Sequence, residues 1–169
     1  WVINRYTARF HSAGTGDGAT ILRDYGAALG ELPETQRTGY QFGGWFTTAE
    51  GGTQISSSTL MGADDADYYA HWEANRWTVI YDAGKGSGQM EASSFTYDAE
   101  NVLSANTFTR SGYHFAGWAE EPDGSISFTD SARAGNMTKK QNDMLHLYAV
   151  WEANPYTVTL HRHRTPDDT

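Results

Sequence analysis

Several groups of residues in this chain carry side chains that could do chemistry. Gly84-Lys-Gly-Ser-Gly88 has the composition of a phosphate loop. A phosphate loop, however, needs Gly-x4-Gly-Lys-Ser/Thr spacing and a helix N-terminus behind it, and this run leads into a strand, so it reads as a hairpin turn. Asp64, Asp65 and Asp67 offer oxygens to calcium but lack the ladder of ligands, about twelve residues long, of a calcium loop, and read as solvated loop. His161 and His163 fall on one face of an extended segment and could ligate a transition metal. No further ligands accompany them. Lys85, Lys139 and Lys140 are the amines available for an isopeptide crosslink, and no lysine precedes Lys85. Serines are plentiful, with no base at a recognisable spacing. The expectation is a non-enzymatic chain with no catalytic, cofactor-binding or metal-binding residues.

The elements that hold these residues recur. Arg37-Thr-Gly-Tyr-Gln-Phe-Gly-Gly-Trp-Phe46 returns as Arg110-Ser-Gly-Tyr-His-Phe-Ala-Gly-Trp-Ala119, identical at six of ten positions at an offset of 73. Tyr68-Tyr-Ala-His-Trp-Glu-Ala-Asn75 returns as Leu147-Tyr-Ala-Val-Trp-Glu-Ala-Asn154, identical at six of eight. A junction signature occurs three times: Trp1-Val-Ile-Asn-Arg-Tyr6, Trp72-Glu-Ala-Asn-Arg-Trp77 and Trp151-Glu-Ala-Asn-Pro-Tyr156. Such periodicity is the mark of a tandem array. The chain therefore divides into the end of an upstream repeat (1–4), a first unit (5–75), a second unit (76–154) and the first strand of a truncated following repeat (155–169). With Trp1 at its start, it reads as a piece of a longer protein. No histidine survives comparison between the units: His71 is matched by Val150, His114 by Gln41 and His146 by Asp67.

Composition fits small β units. The chain has 169 residues, no cysteine, 18 glycines and 14% aromatic residues, which favours aromatic strands joined by glycine turns over a helical bundle. The net charge of −9 is spread over both units, −5 in residues 5–75 and −4 in 76–154. An acidic chain without clustered Lys and Arg is not expected to bind nucleic acid. No run of about 18 apolar residues occurs, so no membrane insertion by this segment is expected.

Within each unit the apolar period is two, which predicts half-buried strands. Tyr6, Ala8 and Phe10 alternate with polar neighbours, as do Trp77, Val79 and Tyr81. Glycine turns follow, and second strands are predicted over 19–24 and 92–97. Residues 25–32 and 98–103 carry the only helix signal, one or two turns each. A third strand opens at Tyr40 or Tyr113, and the glycine before each Trp marks a bulge or close backbone contact. Last strands are predicted over 68–72 and 146–151, each running into the next unit with almost no linker. The fold class is α+β and strand-dominated. A unit of this size buries only about 60% of its unfolded surface and needs large rings. Tyr40, Phe42, Trp45 and Trp72, with Tyr113, Phe115, Trp118 and Trp151, are therefore the expected core; the alternative is a surface platform stacking on sugar rings.

Gly-Tyr-x-Phe-x-Gly-Trp, then Tyr-Ala-x-Trp, then a Tyr-Thr-Val-Thr-like strand, resembles the internalin B-repeat family of bacterial surface proteins, also called the Listeria-Bacteroides repeat. The resemblance covers nearly the whole chain. It implies two tandem β-grasp, ubiquitin-like units with short helices, in an exported protein held at the cell wall by regions outside this segment. It implies a stalk or adhesion role, with neighbouring repeats of the same chain as partners and host protein or glycan as ligands. Two departures stand out. Ala119 replaces the ring of Phe46, and 33 residues separate Trp118 from Trp151 against 27 between Trp45 and Trp72. The extra loop, 132–143, holds Lys139, Lys140 and Asn142 as possible ligand contacts. Direct glycan or protein binding, or self-association into a filament through strand edges, are the alternative roles.

Overall fold

The computed structural model describes residues 2–161; Trp1 and His163 lie outside the described residues. Among the described residues the chain forms nine strands and no helix. The first five are β1 (Arg5–His11), β2 (Ala19–Asp24), β3 (Tyr40–Phe46), β4 (Gln54–Ile55) and β5 (Ala66–Ala74). They make one sheet in the order β2-β1-β5-β3-β4. β1 pairs antiparallel with β2, from Arg5 opposite Asp24 to Phe10 opposite Ala19, and parallel with β5, from Ala8 opposite Ala66 to His11 opposite Tyr69. The remaining strands are β6 (Arg76–Asp82), β7 (Ser93–Thr96), β8 (Tyr113–Ala119) and β9 (Asp143–Ala153), in the order β7-β6-β9-β8. The counterpart of β4 shrinks to a single bridge between Trp118 and Phe128.

The period-two readings hold. Ala8 and Phe10 are fully buried, and Trp77, Val79 and Tyr81 are buried in turn along β6. Both expected bulges are present, between Phe42 and Gly44 and between Phe115 and Gly117. Gly44 sits at φ +120° and Gly117 at φ +155°, where L side chains are strained. A Cβ on Gly117 would come 2.7 Å from the Phe128 carbonyl oxygen.

The helices expected at 25–32 and 98–103 do not form. Backbone groups there bond across to a distant loop: Gly26 N–H donates to the Met61 carbonyl, Leu29 N–H to Thr59 and Gly30 N–H to Ser57, while Met61 N–H returns to Ala27. Bridges between Ala28 and Leu60, and between Val102 and Arg133, mark the same arrangement in both repeats. Gly26 at φ +74°, Gly30 at φ +72° and Asp98 at φ +58° interrupt any helical run. This extended pairing sends Leu29 and Met61 onto Ala8, Phe10, Trp45, Ile55 and Tyr68 as one buried cluster.

The chain packs as two compact units that cut across the repeat boundary. One gathers everything up to Val79 with Ser93–Val102 and Arg133–Leu145. The other comprises Ile80–Ala92, Leu103–Ala132 and the chain from His146 onward. In the first, Trp77 meets Phe95 edge-on; in the second, Tyr81 and Phe108 flank the buried Trp118. Residues 155–161 form no strand, and Tyr156, Val158 and Leu160 are exposed.

Candidate functional site

A single residue, Asn75, separates β5 from β6. It is buried, so its polar groups need partners. Its N–H donates to the Gly39 carbonyl at 2.8 Å, its carbonyl accepts from Tyr97 N–H at 2.8 Å, and its Nδ2 donates to the Lys139 carbonyl at 2.7 Å. Arg76 is held beside it: its N–H donates to Gln141 Oε1 at 2.6 Å and its carbonyl accepts from Asn142 N–H at 2.7 Å. Asn142 adopts φ +57° to make this turn, a conformation asparagine tolerates better than most residues. The backbone of the second-repeat loop is thus spent on the chain junction, all within one compact unit. Lys139, Lys140 and Asn142 remain exposed at their side chains. The third junction repeats one element of this pattern, Asn154 N–H donating to the Gly112 carbonyl at 2.9 Å.

Each repeat also carries an open polar groove in the same place. In the first, His11, Asp17, Arg37, Glu50, His71 and Trp72 line it; in the second, Asp82, Lys85, Arg110, Asp123, Tyr148 and Trp151 do. Trp72 and Trp151 form the shared wall because each fastens the glycine turn. Trp72 Nε1–H donates to the Ser12 carbonyl at 2.7 Å and Trp151 Nε1–H to Ala83 at 2.9 Å. The turns accept this only without side chains: a Cβ on Gly86 would lie 2.6 Å from the Trp151 ring, and one on Gly14 would lie 2.5 Å from the Gln36 carbonyl oxygen. Arg37 stacks 3.9 Å above the Tyr40 ring and Arg110 3.5 Å above Tyr113. Such grooves offer ring faces, carboxylates and cations to a polar ligand. Neither places a nucleophile against a base.

The expected core residues separate by position. Trp45 and Trp118 are buried, whereas Tyr40, Trp72, Tyr113, Phe115 and Trp151 are only half-buried. Phe42 is not core: it is 41% exposed and rests edge-on against Trp45 and beside Trp72. Residues 42 and 45 would fall on opposite faces of an unbroken strand; the bulge between Phe42 and Gly44 brings the Phe42 ring to the Trp45 side, where it stays partly exposed. Ala119 and Val150 together replace the stacked Phe46–His71 pair of the first repeat, whose centroids lie 3.8 Å apart.

The acidic run is used as strand-edge ties. Asp65 accepts from Thr7 N–H at 2.8 Å and from Arg9 at 2.9 Å, and Asp67 pairs with His11 at 2.7 Å. The Thr7 N–H bond, with help from Arg9, holds the Asp65 carboxyl below the usual carboxylate value. Lys85 pairs with Asp123 at 2.6 Å across the second groove. His161 is exposed, and among the described residues no group of three His, Asp or Glu could hold a metal ion. Sequence reasoning missed Asn75 as a functional position; its signal was the threefold recurrence of Asn at the junction, in Asn4, Asn75 and Asn154.

Similarity to known proteins follows the same two-repeat layout. A protein of Evansella cellulosilytica named as a Gly-rich membrane protein is 35% identical over 133 residues, which is 73% of this chain and 15% of that protein. A second from the same organism, named as a membrane protein, is 31% identical over 91% of this chain and 23% of its own length. Internalin H of Listeria monocytogenes is 29% identical over 79% of this chain and 24% of its own length. The chain thus spans less than a quarter of each of these relatives. The Listeria-Bacteroides repeat domain matches residues 6–71 and again 77–150. The two matches fall on the two sheets, and the chain belongs to the Listeria-Bacteroides repeat family, of which it carries two consecutive copies.

Proposed function

We propose that this segment is a non-catalytic spacer in a bacterial surface protein, an extracellular stalk that projects or contributes to an adhesive region elsewhere in the parent chain. The observation that carries this reading is the Asn75 junction, where one residue bonds to Gly39 behind it and to Tyr97 and Lys139 ahead of it. A linker whose backbone N–H is tied to the repeat behind and whose carbonyl and side-chain Nδ2 are tied to the repeat ahead has little freedom left to bend. The relatives support a surface location, since one is an internalin and two are named as membrane proteins. The sheet order β2-β1-β5-β3-β4, with its parallel central pair, supports assigning the first repeat to the β-grasp fold. Small-angle scattering of the whole chain tests the role. A rigid scattering profile is expected, and repeats swinging freely about residue 75 would overturn it.

A second reading has its own support: the two grooves recur with an arginine and a tryptophan at equivalent places. On this reading each repeat binds a host glycan or an extended peptide. Glycan and peptide arrays probed with the chain and with Arg37→Ala/Arg110→Ala decide it. Binding lost in the double variant supports a ligand site, and no binding by the parent chain rejects it.

A further inference from the structure

We propose that the Arg-x-Gly-Tyr loop of each repeat is a receptor for a tyrosine turn of the repeat that follows, and that Tyr25 is the first repeat's docking element for such a loop on a repeat ahead of it. The inference rests on the spacer reading and says which residues make the joint.

One such joint is visible. Gly39 is buried at φ +78°, and the place where its Cβ would stand is taken by the Tyr97 ring. The neighbouring Tyr40 ring meets Tyr97 edge-on at 5.8 Å, and its hydroxyl donates to Asp98 Oδ2 at 2.9 Å. Asp98 is fixed in turn by Asn136, whose Oδ1 accepts from Asp98 N–H at 2.8 Å and whose Nδ2 donates to Asp98 Oδ1 at 2.7 Å. Arg37 stacks on the Tyr40 ring. Glycine and tyrosine of the family motif therefore serve the contact with the next repeat, which explains why Tyr40 lies outside the buried cluster while Trp45 lies within it.

The first repeat carries the same turn with its ring largely exposed. Strand register makes Arg5 and Asp24 equivalent to Arg76 and Thr96, so Tyr25 corresponds to Tyr97 and Gly26 to Asp98. The local backbone agrees: Tyr25 N–H donates to the Asn4 carbonyl at 2.9 Å as Tyr97 N–H does to Asn75 at 2.8 Å, and Gly26 and Asp98 both have positive φ. Tyr97 is half-buried against its receptor, whereas Tyr25 is 61% exposed. An aromatic ring held out on a pinned turn is suited to a preformed partner. The partner chemistry is that of Arg37-Thr-Gly-Tyr40: a glycine that leaves room for the ring, and a tyrosine beside it covered by arginine. With Gly26 in place of Asp98, the Tyr25 joint relies on ring packing and lacks the hydroxyl–carboxylate bond.

Tyrosine nitration with tetranitromethane, located by peptide mapping, tests this. In the chain as it stands, Tyr25 should react several-fold faster than Tyr97, and Gly39→Ala should raise Tyr97 to the level of Tyr25. Should Gly39→Ala unfold by circular dichroism, Tyr40→Ala serves the same purpose. A lengthened chain, with residues 5–75 placed once more ahead of Arg5 and carrying Tyr25→Phe in the added copy, should protect the original Tyr25 to the level of Tyr97. Gly39→Ala in the added copy should restore its reactivity. Equal reactivity of the original Tyr25 in both chains, or of Tyr97 with and without Gly39→Ala, overturns the inference. Scattering separates this from the spacer reading: a rigid profile with an unprotected Tyr25 rejects the docking role alone, and a freely bending chain rejects the spacer.

Discussion

At the scale of single residues, the repeated aromatics divide into three jobs that look alike in sequence. Trp45 fills the first core, and Trp45→Ala should cost about 3–5 kcal/mol in urea unfolding. Phe42→Ala, beside the bulge and 41% exposed, should cost well under half of that. Trp72 and Trp151 instead grip the glycine turns. The bulge glycines differ as well. Gly117→Ala meets the Phe128 backbone, while Gly44→Ala meets the movable end of Gln54. Both pay roughly 1–3 kcal/mol for an unfavourable φ. Gly117→Ala should nonetheless be the more damaging in thermal melts, and the reverse order would contradict the geometry. Asp65 supplies a titratable contribution of known sign. Its folded pKa is lowered, so its share of stability is present above the ordinary aspartate value and is lost as acid carries the pH down through the folded value. Asp65→Asn should flatten the acid limb of the stability curve.

At the scale of elements, β-strands were legible wherever one face is buried and the period is two, as in Tyr6-Thr-Ala-Arg-Phe10 and Trp77-Thr-Val-Ile-Tyr81. The glycine ahead of each Trp located both bulges. The helices expected at 25–32 and 98–103 give way to extended pairing because their backbone partners sit in loops some thirty residues away, about Thr59–Met61 and Ala132–Ala134, which local propensity cannot see. The loop at 132–143, expected as a ligand contact, is tied to Asn75 and Arg76 through the Lys139 carbonyl, the Gln141 side chain and the Asn142 N–H, while the Lys139, Lys140 and Asn142 side chains stay exposed. Asn75→Ala removes the Lys139 bond and should cost on the order of 1 kcal/mol. The loss should appear as faster hydrogen exchange at Arg76 and Asn142 with little change at Phe10. The Asp98 bond, followed by burial, raises the Tyr40 pKa above the usual phenol value. That contribution is complete below the ordinary tyrosine value and disappears as alkali carries the pH up through the folded one. Asp98→Ala should move the phenolate absorbance of one tyrosine to lower pH.

For the whole molecule, the compact units matter more than the repeats. Segments Ser93–Val102 and Arg133–Leu145 of the second repeat pack in the same unit as the entire first repeat. Unfolding followed at Trp45 and at hydrogen-exchange sites in Ser93–Val102 should therefore coincide in urea, and two well-separated transitions would contradict this packing. A tandem array built this way passes stability along the chain through nearest neighbours. The even acidity of the two repeats serves solubility along such an array.

The amino-acid sequence by itself determined the repeat, its strands, its bulges and its family, because these follow from periodicity and from residue types with narrow backbone tolerance. Only the tertiary structure decided which rings are core, which clamp turns and which face the next repeat. Those roles depend on what stands opposite each ring across the fold, and Tyr40, Phe42 and Trp45 differ there despite lying within one short motif.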